Sequence, residues 1–87
     1  NDTEDINTNN NKITYKVQIE SRSRKVPNPK EHYSTLSEID YYEHNGLYKY
    51  TSGSFDNKKD AEKHCKLVKQ KGYESAFVVP FKNGKRI

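Results

Sequence analysis

The sequence contains one cysteine, three prolines, four glycines, and neither methionine nor tryptophan. A lone cysteine, Cys65, excludes an internal disulfide and any cysteine-built metal cage, and it leaves the redox compartment open. The glycines are scattered singly, so no glycine-rich loop is present to cradle a phosphate. No apolar run approaches membrane-spanning length, and the opening residues lack both the basic and the apolar part of a signal peptide. The three histidines, His32, His44 and His64, have no metal-ligand spacing, and no carboxylate pair is placed for glycoside hydrolysis. Catalysis therefore has no constellation to rest on. The expectation is a module that binds rather than transforms, without a metal or a cofactor.

Hydrophobic residues are also scarce. At 30% of 87 residues they suffice for one domain with a modest core. Seven tyrosines against three phenylalanines must supply much of the buried area. A tyrosine packs its ring while its hydroxyl reaches water or a polar ligand.

Charge is uneven. The chain is net +4, but residues 1–12 hold three acids against Lys12, so the remaining residues, with 15 basic and 9 acidic side chains, are net +6. Such a balance raises nucleic acid, anionic polymers and membrane surfaces as partners. Six of the lysines, however, fall on one predicted helix, where solvation alone accounts for them.

Residues 1–12, NDTEDINTNNNK, are polar and aperiodic and read as a disordered leader or linker, with the domain over 13–87. The leader suggests a module cut from a longer parent. Ile13, Tyr15, Val17 and Ile19 alternate with Thr14, Lys16, Gln18 and Glu20, the pattern of a half-buried strand over Ile13–Glu20. Pro27 and Pro29 enforce an extended loop, and Pro29 can open a short helix to Leu36 that buries Tyr33 and Leu36. A strand over Ile39–His44 meets Asn45-Gly46, a strong hairpin signal, and a third strand runs from Leu47 to about Ser54. Gly53 near its end marks a bulge or close backbone approach.

The clearest helix follows. Asn57 caps it with Asp60 answering three residues on, and Ala61, His64, Cys65 and Val68 form its apolar stripe. Gly72 stops it. His64 and Cys65 read as packing residues on that stripe. A strand over Ala76–Phe81 and a Lys82–Lys85 turn complete the chain. The order strand, helix, strand, strand, helix, strand predicts an α+β fold of the ferredoxin-like (RNP-like) βαββαβ type. Its four-stranded antiparallel sheet carries both helices on one face and leaves the other open. Alternation places Lys16, Gln18 and Glu20, then Leu47, Lys49 and Thr51, on the open face, with Phe77, Val79 and Phe81 able to join them. Amide, hydroxyl, ammonium and apolar groups mixed on a flat sheet suit a sugar or a base. A merely solvated face remains the alternative.

The segment Tyr15-Lys16-Val17-Gln18-Ile19 resembles the VQ-containing opening strand of SPOR domains. Leu47 to Phe55, with Gly53 and Phe55 before a capped helix bearing Ala61, is similar to the second half of that family. GLYKYTSGSF…AFVVPFKNGKRI resembles SPOR-type domains of Bacteroidetes envelope proteins, and the likeness extends from Ile13 to Ile87.

The resemblance implies binding to peptidoglycan, in particular to glycan strands stripped of stem peptides, in the periplasm or cell envelope. It also implies a larger parent, such as a cell-wall amidase or a division protein. By position, Gln18 and Ser21 would contact the sugar chain, Leu47 and Lys49 would hold the family's exposed aromatic and basic positions, and Phe77 an apolar one; alternation adds Thr51. The chain departs from the family pattern at Glu20, where a small residue is usual, and at Leu47, which replaces an aromatic. It departs again at Pro27 and Pro29 in the first helix, and at Ser52, where an apolar core residue is usual.

Two other classes compete. A protein–protein module would dock an envelope partner on an edge strand or on the lysine-rich helix. An RNA-recognition-like binder would share the topology, but LYKYTSGSF lacks the basic–Gly–aromatic–Gly–aromatic pattern, and Tyr48 and Tyr50 share the predicted core parity. Nucleic acid is therefore not an expected partner.

Overall fold

The computed structural model describes residues 12–87, so the expected leader lies outside the described residues except for Lys12. The elements are β1 (Ile13–Arg22), α1 (Pro29–His32), β2 (Ile39–His44), β3 (Leu47–Phe55), α2 (Lys58–Gln70), β4 (Phe77–Lys82) and β5 (Lys85–Arg86). They build an α+β fold with one antiparallel sheet in the order β2-β3-β1-β4-β5. The first four strands follow the ferredoxin-like order.

The fifth strand is a departure from the expected four. Asn83 and Gly84 both take positive φ (54° and 78°), as Asn45 and Gly46 do in the β2–β3 turn (54° and 76°). Such turns match the twist of paired strands, so the Lys82–Lys85 turn continues as a hairpin, and β5 pairs with β4 through Phe81–Arg86.

Alternation governs which side chains face the helices. Val17, Ile19, Tyr50, Cys65 and Val68 form a buried cluster with Val26, Tyr33 and Ala76. Ala61 is also fully buried, so α2 packs the side that its sequence stripe indicates. Each large side chain buried in this way contributes about 1.5–3 kcal/mol. Tyr50 and Tyr33, both almost fully buried, supply the bulk that the missing methionine and tryptophan do not. The Tyr50 hydroxyl accepts a 2.6 Å hydrogen bond from the Val26 amide, which anchors the proline loop to the core.

Asn57 caps α2 as its position suggests: its Oδ1 accepts from the Asp60 amide at 2.9 Å, and its Nδ2 donates to the Asp60 carboxylate at 3.0 Å. The first helix is shorter than the predicted run to Leu36, a single turn with Pro29 at its start. Its Asn28 cap has left-handed backbone and makes no side-chain capping bond, and too few apolar positions follow to hold a second turn.

Two register shifts separate β1 from β3, at Lys16/Val17 and at Gln18/Glu20. The first places Gly53 as an extra residue on β3; the second places Ile19 as an extra residue on β1. The second shift corrects the placement of Glu20. Strict alternation puts it outward, but past the bulge it pairs with Tyr50 and turns toward the helices. Its carboxylate there accepts a hydrogen bond from the Tyr33 hydroxyl and pairs with Arg22 at 3.3 Å.

Candidate functional site

The sheet face away from the helices carries three cross-strand rows. Directly paired residues in an antiparallel sheet point to the same side. One row runs Asp40–Thr51–Gln18–Phe77 across β2, β3, β1 and β4. A second runs Tyr42–Lys49–Ser21, and a third joins Thr14, Phe81 and Arg86, with Lys16 opposite Val79 between the first and third. The predicted Gln18, Thr51 and Phe77 are therefore brought together in one line. Lys49 and Ser21 stand in the adjoining row, and Leu47 lies beyond them opposite His44, next to the hairpin. Phe77, Val79 and Phe81 do share the face with Gln18, as alternation allows.

Exposure divides these residues. Phe77 is 44% exposed, Ser21 is exposed, and Leu47 and Lys49 are half-buried. Gln18 and Thr51 are instead buried, at 6% and 1%. What covers them is a layer that the sequence reading did not assemble. From β2, Tyr42 leans across the face, packs edge-on against Phe81 with ring centroids 5.1 Å apart, and donates its hydroxyl hydrogen to Gln18 Oε1 at 2.5 Å. From the far edge, Arg86 Nη1 donates to the Tyr42 hydroxyl at 3.1 Å. The guanidinium also lies 5.9 Å from the centre of the Phe77 ring. Burial raises the Tyr42 pKa, with the neighbouring Arg86 pulling the other way, so the phenol stays protonated and able to donate.

The same layer holds Lys16, whose ammonium sits 5.1 Å over Phe81 and 3.5 Å from the Asp40 carboxylate. Asp40 is largely exposed while the Lys16 side chain is mostly covered, and the pair is worth about 0–1 kcal/mol. Beneath it the Thr51 hydroxyl oxygen is buried without a hydrogen-bond partner. An unmade bond of this kind costs about 1–3 kcal/mol.

The face thus offers one exposed aromatic ring, a second ring clamped at hydrogen-bonding height, amide and hydroxyl groups between them, and a cationic rim. It is a surface rather than a pocket. A cleft of about 590 Å³ at the α1–β2 edge, lined by Asn28, Pro29, Ile39 and Tyr41, touches the face only at Asp40.

Tyr48 packs against the core and Tyr50 lies within it, so neither of the β3 tyrosines is offered to a base from the open face. Ser52, the polar residue at a core position, donates to the Ser37 carbonyl at 2.6 Å and lies 3.0 Å from His64 Nε2. His64 is thus a bonded partner of Ser52 as well as a packing residue against Phe55.

The residues that sequence reasoning missed are Tyr42, Asp40 and Arg86. Alternation in β2 puts Asp40, Tyr42 and His44 on one side, a signal that needed only the register of the Asn45-Gly46 hairpin. Arg86 was legible from the second Asn-Gly turn.

A family model described as the SPOR domain matches residues 29–80, more than half of the chain. The chain belongs to the SPOR domain family. The SPOR domain is a peptidoglycan-binding module of envelope proteins. Neither the curated proteins nor the solved structures gave a match. The matched stretch runs from α1 into β4 and so includes Tyr42, Leu47, Lys49, Thr51 and Phe77. Gln18 and Ser21 precede it, and their place in the site rests on register: β1 is the strand against which both β3 and β4 pair. No helix among the described residues is long and apolar enough to cross a membrane.

Proposed function

We propose that the open sheet face binds glycan strands of peptidoglycan, with a preference for strands stripped of stem peptides. On this reading it holds a larger envelope protein at the wall without catalysing a reaction itself. The observation that carries the reading is the row Asp40–Thr51–Gln18–Phe77 beneath Tyr42. A pyranose ring has an apolar face and an equatorial belt of hydroxyl and acetamido groups. Phe77 meets the first, while the Gln18 amide N–H groups and the Lys49 ammonium meet the second, with Thr51 lying buried beneath the contact. The Gln18 oxygen is spent on Tyr42, so Gln18 offers a ligand its donors.

Leu47 replaces a ring on β3, and Tyr42 on the neighbouring strand supplies one in compensation. Ser21 and Lys49 extend the contact by one row along the chain direction of the sheet, and Leu47 adds apolar surface at its end.

The test is sedimentation of the protein with purified sacculi, before and after an amidase has removed the stem peptides. The expected result is stronger pelleting with stripped sacculi and a marked loss for Phe77→Ala. Absence of pelleting with both preparations, from folded protein, would refute the reading and direct attention to protein partners.

A further inference from the structure

The open face holds three cations, and they are not equivalent. Lys16 is neutralised by Asp40 at 3.5 Å and lies over Phe81. Lys49 projects from a central strand between Tyr42 and Ser21. Arg86 sits at the rim, exposed, and among the described residues it makes no ion pair. It is nevertheless held in place, by one hydrogen bond from Nη1 to the Tyr42 hydroxyl and by the Phe77 ring 5.9 Å away. A guanidinium has five N–H donors in a planar fork, and Tyr42 takes one of them. The rest face solvent beside the most exposed aromatic ring of the site. A side chain so placed is fitted to a carboxylate borne by a sugar whose ring lies on Phe77.

We propose that Arg86, carried onto the open face by β5, is a specificity-determining residue that binds the carboxylate of a muramic acid lactyl group freed by removal of its stem peptide. The inference rests on the glycan reading above and gives it a chemical cause. While a stem peptide is attached, the lactyl carbonyl is an amide and carries no charge. Hydrolysis of that amide leaves a carboxylate on the sugar, and only this form pairs with the guanidinium. Tyr42 acts as a positioning residue: its hydroxyl links Arg86 to Gln18, so that the carboxylate contact and the sugar contacts form one hydrogen-bonded set.

The experiment uses soluble glycan strands in three forms: denuded by an amidase, denuded with the carboxylates then converted to methylamides by carbodiimide coupling, and peptide-bearing. Affinities are measured at low salt for the unmodified protein, Arg86→Gln and Lys49→Gln. The unmodified protein is expected to bind the carboxylate strands about fivefold to tenfold more tightly than the methylamide strands. Arg86→Gln is expected to bind both at the weaker level, while Lys49→Gln keeps the preference whatever its overall affinity. Equal binding of carboxylate and methylamide strands by the unmodified protein would overturn the inference and leave the glycan reading standing. A preference unchanged in Arg86→Gln would also overturn it. Peptide-bearing strands bound as tightly as denuded ones, and weakened by Arg86→Gln, would overturn it by placing the carboxylate on the peptide. Failure to bind any form would refute the glycan reading itself.

Discussion

At the scale of single residues, the polar side chains that sit inside this small protein are the ones its sequence describes least well. Ser52 stands where an apolar residue is usual, and the structure shows how it is accommodated. Its hydroxyl proton goes to the Ser37 carbonyl, so in the 3.0 Å contact with His64 the imidazole Nε2–H is the donor. Burial lowers the His64 pKa, Lys71 adds to the effect, and Glu38 opposes it. The unfolded chain, with an ordinary histidine near 6.5, then binds more protons than the folded one at mildly acidic pH. Stability from this group is complete above about pH 6.5 and is lost as pH falls from there through the lowered folded value. Urea midpoints taken at about pH 7.5 and about pH 5.5 should fall further for the unmodified protein than for His64→Gln, whose amide can still donate to Ser52. Parallel falls would refute the assignment. Periodicity alone showed His64 to be on the packed stripe. Its partner was invisible, because Ser52 is distant in sequence and reaches His64 only through the β3–α2 packing.

At the scale of elements, caps and turns were legible because their chemistry is local. Asn57 with Asp60, the Asn45-Gly46 hairpin and the break at Gly72 each depend on a few adjacent residues, and each is found where the sequence puts it. The second Asn-Gly turn carries the same signal, and its consequence, β5, adds the strand that four-strand counting leaves out. Bulges were only half legible. Gly53 announces one of them, but nothing in Gln18-Ile19-Glu20 marks the other, which depends on the match between two strands and reverses the direction of Glu20. Gly53 has φ of 84°, and a Cβ there would lie 2.7 Å from Phe55 Cε2 and 3.0 Å from His64 Cδ2. Gly53→Ala should therefore cost about 1–3 kcal/mol in urea unfolding, from left-handed strain and from displacement of the Phe55 ring. A loss below about 0.5 kcal/mol would mean that the bulge adapts and does not fix the register.

At the scale of the whole molecule, the fold creates two unlike faces from one alternating pattern. One is closed by α1, α2 and the tyrosine-rich core; the other carries the Tyr42–Arg86–Gln18 layer over the central strands. The ferredoxin-like order was readable from element order, and Gln18, Thr51 and Phe77 were readable as a shared face. That Gln18 and Thr51 are roofed by Tyr42 was not readable, because it depends on one edge side chain crossing the sheet. The central claim is that the open face, and not the lysine-rich α2, receives the glycan. The most direct test is an NMR titration of the labelled protein with soluble denuded glycan, following side-chain signals on both faces. The account expects the Gln18 amide, the Thr51 methyl and the Phe77 ring to shift together, while the Ala61 and Val68 methyls beneath α2 stay in place. Shifts confined to α2 and its lysines, with Gln18, Thr51 and Phe77 unmoved, would contradict it.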